Sequence, residues 1–369
     1  MREPVDLRRR RILSAVQSRG SVKVIDLAAE LAVSVVTLRR DVEELAREGK
    51  LRRGHGVARS MAPVEAASSS GQPPADGDAV ALVVPERHSY LYETLHGART
   101  VLEAAGMRIA LHIAPRAAGA EQSIVERALA DGARGLLIAP RWRSAAAEQA
   151  DYGWLAQVKV PAVLMERRPR PGSALHAMDS VCSDHWYGTH LAVEHLVALG
   201  HRRIVLASRN DSPTARAIRA AFAQIAADRP EIDDWAMTLS APDADAEPAV
   251  DRGPQPGLAA LLRERGATAA VLHGDVDALM LVQQLSDDGV RVPQDCSVVA
   301  YDDMVAALGG TPLTAVAPPK AEIGRAAAEL LLHRLDQPVG AGTASVRRVE
   351  LMPELKVRGS AQAPTAVAE

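Results

Sequence analysis

Near the N-terminus, apolar residues recur every three or four positions, which is the period of an amphipathic helix. The spacing predicts three helices: one that Asp6 caps, a short one over 24–31, and a third that Ser34 caps and Gly49 ends. A tight turn at 32–33 separates the last two. This order of helices is typical of a helix-turn-helix.

The third predicted helix has two distinct faces. At about 100° per residue, its apolar positions fall on one side, which we expect to pack on the core. These positions are Val35, Leu38, Val42 and Leu45. Arg40 lies almost opposite them, with Val36 and Thr37 beside it, so the start of the helix presents an exposed and partly basic surface.

That surface and the segment after it suit DNA. Arginine can bind guanine through two hydrogen bonds, so Arg40 and Thr37 are expected at base edges, with Val36 against a thymine methyl group. Arg39, at the flank, is expected at a phosphate. The segment KLRRGHG predicts a strand and turn that form a wing on the DNA backbone. The candidate DNA-binding residues are Ser34, Val36, Thr37, Arg39, Arg40, Arg52, Arg53 and His55.

Charge is unevenly distributed along the chain. Residues 1–60 hold 14 Lys and Arg against 8 Asp and Glu, whereas residues 61–369 hold 29 against 38. A basic head on an acidic body indicates a nucleic-acid partner for the head. Residues 60–78 are rich in Ser, Pro and Gly without an apolar period, which predicts a flexible linker.

Beyond the linker, short apolar runs alternate with helix-length segments. The runs include AVALVVPE, ARGLLIAP, VPAVLME, RRIVLAS, TAAVLHGD and CSVVAYDD. Strands that alternate with helices predict an α/β fold with parallel sheets. Ligands of such sheets bind at the carboxyl ends of the strands. The candidates at these ends are 86–90, Arg141 with Trp142, Asp184 with His185, 208–219 and 273–275.

Several classes of protein are disfavoured. The two cysteines cannot form a disulfide framework, no export signal is evident, and no window approaches the roughly 18 apolar residues of a membrane span, so we expect a cytoplasmic protein. Scattered His residues show no metal-ligand spacing, and we expect neither a metal nor a cofactor. A nucleophile elbow, phosphate loop or suitable acid pair is not evident, so we expect no enzyme.

The head resembles a known family. Residues 8–58 resemble the DeoR-type winged helix-turn-helix, with an ELA-like second helix, the recognition segment VSVVTLRRD and a wing like LRRGHG. The resemblance implies that this region binds DNA. The sequence departs from the family at Val57, where a second wing glycine is usual.

The body resembles a second family. Segments such as VPQDCSVVAYDDM and LTAVAPPKAEIG, within about 79–358, are similar to the effector-binding domain of the LacI/GalR repressors. The resemblance implies a periplasmic-binding-protein-like sensor of two α/β subdomains, crossed three times by the chain, that closes on a ligand and dimerises. The predicted organisation is a winged helix-turn-helix at 1–59, a linker at 60–78, the sensor at 79–360 (subdomain 1 about 79–178 and 303–333, subdomain 2 about 179–302 and 334–360), and a disordered tail at 361–369.

The second resemblance also implies ligand contacts. Tyr90 matches an aromatic residue at the mouth of the first subdomain, Asp184 opens the second subdomain, Thr214 matches a hydroxyl contact, and Asp275 matches a carboxylate that binds sugar hydroxyls or a base nitrogen. Ile218 stands where the family has an arginine, which leaves Arg216 and Arg219 as candidate substitutes. The candidate effector-binding residues are Tyr90, Arg141, Asp184, Thr214, Arg216, Arg219 and Asp275.

Together, these features predict a ligand-responsive repressor of carbohydrate-related genes that binds a double-stranded DNA operator as a homodimer. One alternative is a DeoR-like regulator that senses a phosphorylated sugar or nucleoside. A less favoured alternative is a sugar-processing enzyme with an accessory DNA-binding head.

Overall fold

The head is built on one well-defined helix. In the computed structural model, α1 spans Val35–Arg47, and the Ser34 hydroxyl caps it by accepting the Thr37 N–H at 3.1 Å. Leu38, Val42 and Leu45 are at most 2% exposed. The predicted cap and this part of the predicted core face are therefore confirmed. The structure describes residues 8, 12, 21–23, 27–28, 33–47, 51–54, 57–60, 79–86, 89–117, 119–241, 257–337 and 345–365.

A small antiparallel sheet accompanies α1. Its strands are β1 (Ser21–Lys23), β2 (Leu51–Gly54) and β3 (Val57–Ser60), in the order β1-β3-β2. β2, which pairs antiparallel with β3, confirms the predicted strand of the wing; the predicted turn lies outside the described residues. The predicted His55 contact lies outside the described residues, as does the predicted linker except Ser60, which ends β3.

The chain divides into two units, residues 1–75 and 76–369. The second unit contains two six-stranded sheets. The first is parallel throughout, and the second is parallel except for one strand at its edge. The predicted α/β fold with parallel sheets is confirmed.

The elements of this unit follow the predicted alternation of strands and helices. The strands are β4 (Ala79–Pro85), β5 (Arg108–Ala114), β6 (Ala133–Ile138), β7 (Ala162–Met165), β8 (Asp179–Ser183), β9 (Arg203–Ala207), β10 (Asp234–Thr238), β11 (Ala269–Leu272), β12 (Ser297–Tyr301), β13 (Thr314–Ala317), β14 (Arg348–Leu351) and β15 (Glu354–Lys356). The helices are α2 (Ser89–Ala104), α3 (Ala120–Ala130), α4 (Ala145–Leu155), α5 (His185–Ala198), α6 (Pro213–Asp228), α7 (Leu258–Arg265), α8 (Asp275–Asp287) and α9 (Lys320–Leu335). The first sheet has the strand order β14-β8-β7-β6-β4-β5, and the second has the order β10-β9-β11-β12-β13-β15, with β15 antiparallel to β13. None of the described helices is long and apolar enough to cross a membrane.

The chain passes between the two sheets three times, after β8, after β13 and after β14. The predicted subdomain limits differ from this arrangement. β8 and β14 pair in the first sheet, and β13 pairs with β12 in the second. Residues 179–183 and 348–351 therefore belong to subdomain 1, and 314–317 to subdomain 2, because hydrogen bonding to a neighbouring strand decides the sheet.

The end of the described chain is also held more firmly than expected for a disordered tail. The Gln362 carbonyl accepts the Ser297 hydroxyl at 2.9 Å and lies 2.9 Å from the His201 Nε2. The Gln362 N–H in turn donates to the Ser297 hydroxyl at 3.0 Å. These bonds attach residues 361–362 to the second subdomain; residues 366–369 lie outside the described residues.

Helices α2 and α9 make an unusually close approach over the first sheet. A Cβ added at Gly324 would lie 1.8 Å from the Thr94 carbonyl oxygen, and one added at Gly97 would lie 2.0 Å from the Ala321 carbonyl oxygen. Only glycine lets the two backbones come this close. The contact fixes α9, which follows the second crossing, on the first subdomain.

Candidate functional site

A cavity of about 400 Å³ lies where the carboxyl ends of the two sheets face each other. Its lining residues follow strands β4 to β7 on one side and β9, β11 and β12 on the other. The residues are Glu86, Tyr90, Leu91, Arg116, Arg141, Arg143, Arg167, Arg209, Asp211, Ser212, Thr214, His273, Gly274, Asp275, Val276, Asp277, Asp302 and Met304. The volume and position suit a small molecule held between the subdomains.

Four of the seven candidate effector residues line this cavity: Tyr90, Arg141, Thr214 and Asp275. The other three are placed elsewhere. Asp184 caps α5, where its carboxylate accepts the Tyr187 N–H at 2.8 Å. Its place directly after a strand put it at the correct end of the sheet, but the capping bond directs it to its own helix.

Arg216 joins the two subdomains instead of lining the cavity. From α6 it donates through Nη1 to the carbonyl oxygens of Trp142 at 2.9 Å and Arg143 at 3.0 Å, and its Nη2 lies 3.3 Å from Glu148 Oε2. Arg143 reaches back to Asp211 at 3.2 Å. We call these five residues the latch, because every one of these bonds connects the first subdomain with the second.

Arg219, one turn further along α6, has a local role. Its Nη1 donates to the Thr238 carbonyl oxygen at 3.3 Å, at the end of β10 in the same subdomain. Ile218 is fully buried in the core of the second subdomain. Neither Arg216 nor Arg219 therefore lines the cavity in place of the arginine that the family has where this chain has Ile218.

Sequence reasoning missed several residues of the cavity. Arg116, Arg167 and Asp302 each follow a strand, namely β5, β7 and β12. The rule that selected Arg141 applies to them equally, because all of them lie just beyond the carboxyl end of a parallel strand.

Arg167 forms part of the buried wall of the cavity. It is 5% exposed, and its guanidinium donates to the Glu166 carbonyl oxygen at 2.7 Å and to the Pro140 carbonyl oxygen. Burial lowers its pKa to about 10, so the group stays positively charged at neutral pH. The two backbone bonds fix the orientation of the guanidinium.

A polar cluster lies beside it, next to the first crossing between the subdomains. The Tyr90 hydroxyl donates to Glu166 at 2.6 Å, and His185 lies 3.7 Å from the other carboxylate oxygen of Glu166 and 3.2 Å from the Tyr301 hydroxyl. Burial lowers the pKa of His185 to about 3, so its imidazole is neutral. These side chains connect both subdomains at the base of the cavity.

The second subdomain contributes mainly acidic groups. Burial raises the pKa of Asp302 to about 7, and its Oδ1 has no hydrogen-bond partner among the described residues. Burial also lowers the pKa of His273 to about 4, which leaves it neutral. Asp275 accepts the backbone N–H groups of Val305 and Ala306, the latter at 3.0 Å, and so fastens the loop after β12.

In the head, the start of α1 carries the candidate DNA contacts. Arg40 is exposed, and the Thr37 hydroxyl lies 2.8 Å from the Ser34 hydroxyl. Asp41, the next residue on α1, is 4% exposed and lies 2.6 Å from Arg8. The remaining candidates Val36, Arg39, Arg52 and Arg53 lie on α1 and β2, but their side chains are outside the described set.

The described residues include no cluster of three His, Cys, Asp or Glu that could hold a metal ion. A family model of the DeoR-like helix-turn-helix domain matches residues 8–64, and one of the periplasmic binding protein-like domain matches residues 193–361. The chain joins a DeoR-like helix-turn-helix domain to a periplasmic binding protein-like domain.

Curated relatives match a little more than half of the chain. The HTH-type transcriptional repressor PurR of Haemophilus influenzae is 30% identical over 208 residues, which is 54% of this chain and 57% of that protein. The ribose operon repressor of Escherichia coli is 31% identical over 207 residues, or 55% of this chain and 58% of that protein. The alignments thus span somewhat more than half the length of these relatives.

Solved structures share the fold of most of the chain. The lac repressor dimer bound to operator and the anti-inducer ONPF has a TM-score of 0.62 at 21% identity, and the alignment covers 79% of this chain and 96% of that one. A LacI family transcriptional regulator from Enterococcus faecium with bound ribose has a TM-score of 0.57 at 21% identity, covering 78% and 100%. The two-subdomain architecture is therefore the one seen in these proteins.

Proposed function

We propose that this chain is a ligand-responsive transcriptional regulator that represses carbohydrate-related genes. The observation that carries the proposal is the presence in one chain of a capped recognition helix with an exposed arginine and a two-subdomain domain with a cavity between its sheets. The named relatives are repressors, and one is a repressor of a ribose operon.

The head binds double-stranded DNA through the start of α1 and the wing. Arg40 and Thr37 lie at the exposed start, where a recognition helix meets base edges. Glu43 is exposed further along the same helix and would be repelled by phosphates. The helix therefore enters the major groove by its N-terminal end, and the basic β2 strand follows the adjacent backbone.

The ligand binds in the cavity between the subdomains. A ligand that contacts both walls favours one relative position of the two subdomains over others, and this difference in affinity is what shifts the population of the DNA-binding state. The proteins with the same fold include one with bound ribose and one with bound sucrose. In this proposal the ligand leaves chemically unchanged, and the protein works in the cytoplasm, where its operator is.

A homodimer forms through an exposed apolar surface of the first subdomain. Tyr92 on α2 is 74% exposed, and Leu111 and Ile113 on the edge strand β5 are 51% and 59% exposed. A patch of large apolar side chains on a sheet edge is typical of a surface that another chain covers. A second copy places two heads on two half-sites.

Fluorescence anisotropy of the full-length protein with DNA from its own upstream region tests the proposal. Specific binding should weaken as salt rises, because phosphate contacts release counterions. Arg40→Ala should cost about 1–3 kcal/mol and relax sequence preference, whereas Arg53→Ala should weaken binding to all sequences alike. Arg202→Ala, on the surface of the second subdomain just before β9, serves as the control.

Equal losses on operator and random DNA for Arg40→Ala and Arg53→Ala would contradict the assigned roles. Binding that is independent of salt and of both substitutions would contradict DNA binding by this head.

A further inference from the structure

The two walls of the cavity carry opposite charge. The first subdomain contributes four arginines (Arg116, Arg141, Arg143 and Arg167) and one acid, Glu86. The second contributes four aspartates (Asp211, Asp275, Asp277 and Asp302) and one arginine, Arg209. A basic wall therefore faces an acidic wall across a cavity that fits one small molecule.

Part of this charge is already neutralised by the protein. Arg143 pairs with Asp211 across the cavity at 3.2 Å, and Arg209 pairs with Asp277 at 2.6 Å within the second subdomain. Asp277 also accepts the Ser240 hydroxyl at 3.0 Å. These four charged groups are engaged with each other before any ligand binds.

The remaining arginines of the basic wall have no such partner. Within the described part of the chain, Arg116, Arg141 and Arg167 form no ion pair within 4.0 Å. The Arg141 side chain donates to the Ala114 carbonyl oxygen at 3.1 Å, and burial together with the nearby Arg116 lowers its pKa. Glu86 and Glu121 lie close enough to oppose that shift but do not remove it.

Of these three arginines, Arg167 gives the strongest indication that the cavity binds an anion. It is 5% exposed, it lines the cavity, and its two backbone bonds use Nε and Nη1. Its neighbour Glu166 is occupied by the Tyr90 hydroxyl at 2.6 Å, and burial raises the pKa of that carboxyl group. Burial lowers the pKa of Arg167, and the nearby carboxylates of Glu166 and Glu121 oppose that shift only in part. An anionic ligand group would offset the remaining cost of burying this cation.

The acidic wall is suited to hydrogen-bond donors and not to anions. Asp302 and Asp275 line the cavity without an ion pair in the described part of the chain, and the neutral His273 after β11 adds no positive charge. Lys320 donates to the Asp302 carbonyl oxygen, and its charge only partly opposes the rise in the pKa of Asp302 that burial causes. Carboxylates of this kind accept hydroxyl or N–H donors. The cavity therefore favours a ligand with an anionic group at the end that faces the first subdomain and hydrogen-bond donors at the end that faces the second.

We propose that the ligand of this cavity is an acidic polyol: a sugar-sized molecule whose carboxylate or phosphate binds Arg116, Arg141 and Arg167 and whose hydroxyl groups donate to Asp275 and Asp302. The inference rests on the proposed function, of which it specifies the ligand. The bidentate geometry of the guanidinium matches both carboxylate and phosphate oxygens. The cavity volume of about 400 Å³ accommodates a molecule of this size.

Isothermal titration calorimetry of the full-length protein in phosphate-free buffer tests the charge requirement. The compounds are matched sets: glucose, glucuronate and glucose 6-phosphate; ribose, ribonate and ribose 5-phosphate; and inorganic phosphate alone. We expect an acidic member to bind at least tenfold more tightly than its neutral counterpart. The carboxylate and phosphate members distinguish the two kinds of anion. Phosphate alone should bind weakly, since it lacks the hydroxyl groups.

Variants locate the anion. Arg141→Gln should weaken binding of the acidic compound at least tenfold and remove its advantage over the neutral sugar. Arg167→Gln should have the same effect. If this buried variant does not fold, Arg116→Gln, at a more exposed position, provides the same test. Arg202→Gln is the matched control, because this arginine is exposed in the second subdomain and pairs with Asp233 outside the cavity. The control variant should bind the acidic compound with an affinity that changes less than twofold.

Equal binding of neutral and acidic members, preference for the neutral sugar, or no binding by any acidic member would each overturn the proposal. The anisotropy assay with each compound tests the regulatory function and the ligand class separately. A neutral sugar that alters DNA binding would support the proposed regulatory function and contradict the proposal of an acidic ligand. An acidic polyol that binds through Arg141 without affecting DNA would sustain the ligand class and reject its regulatory role.

Discussion

Replacing Arg216 with alanine should loosen the two subdomains from each other. The substitution removes both donations from Nη1 to the Trp142 and Arg143 carbonyl oxygens and the contact of Nη2 with Glu148. Glu148 keeps the Tyr152 hydroxyl at 2.5 Å and Arg170 at 3.0 Å, so it is not left as an unpaired buried charge. The loss is therefore confined to the bonds that Arg216 makes itself.

The size of the effect follows from the burial of the partners. Hydrogen bonds to charged groups contribute about 1.5–3 kcal/mol, and exposed ion pairs about 0–1 kcal/mol. The Arg216 side chain is 28% exposed and Glu148 is 6% exposed, which places the latch between these limits. We expect a loss of about 2 kcal/mol, or roughly a 30-fold shift toward the separated arrangement.

Hydrogen–deuterium exchange measured on peptides covering 139–155 checks this prediction. In Arg216→Ala, amides that open together with the latch should exchange roughly 30-fold faster, since their protection reflects the free energy of local opening. Arg219→Ala is the matched control, because Arg219 lies on the same helix and bonds only within its own subdomain to Thr238. Arg216→Lys should resemble alanine more than wild type, because a lysine cannot reproduce the planar fork.

Identical exchange in the Arg216→Ala and Arg219→Ala variants would refute the reasoning. It would mean that the sheet crossings alone hold the subdomains in place and that the latch adds nothing to them.

Three further predictions concern packing, pH and assembly. Gly324→Ala should lower the free energy of unfolding by about 3 kcal/mol or more, as measured by denaturant titration, because the new Cβ would collide with the backbone of α2. Gly153→Ala is the control: nothing lies within 4 Å of the added Cβ, so this substitution should be neutral or stabilising. Because the folded pKa of Asp302 is raised to about 7 from 3.8, its contribution to stability is present below pH 4 and is lost as pH rises to 7. Asp302→Asn should therefore become more stable relative to wild type over that range, by up to about 4 kcal/mol; a pH-independent difference in chemical denaturation would contradict this. Ile113→Asp should yield monomers in light scattering after size-exclusion chromatography, whereas Val357→Asp, at a side chain 64% exposed, should not; unchanged dimers in Ile113→Asp would exclude the β5 surface.

Part of the candidate site could be predicted because it depends on position along a single element. Tyr90, Arg141, Thr214 and Asp275 line the cavity, and each lies just beyond a strand or at the start of the helix that follows one. The same rule would have found Arg167. It could not exclude Asp184, because a capping side chain and a ligand contact have the same place in the sequence.

The roles of Arg216 and Arg219 could not be predicted in this way. They are three residues apart on α6, yet one crosses to Glu148 in the other subdomain and the other stays with Thr238. The difference depends on which residues the fold brings within about 3 Å of each guanidinium. Those partners are separated from the arginines by 68 and 19 positions in the sequence.

The sequence by itself determined the elements. The helical period and the Ser34 cap define α1, and apolar runs that alternate with helical segments define an α/β fold with parallel strands, because hydrogen bonding and burial within a short segment follow its local pattern. Only the tertiary structure decided that β8 and β14 join the first sheet, that Arg216 joins the subdomains, and that a basic wall faces an acidic one. Each of these depends on contacts between distant parts of the chain, where the packed geometry selects the partner.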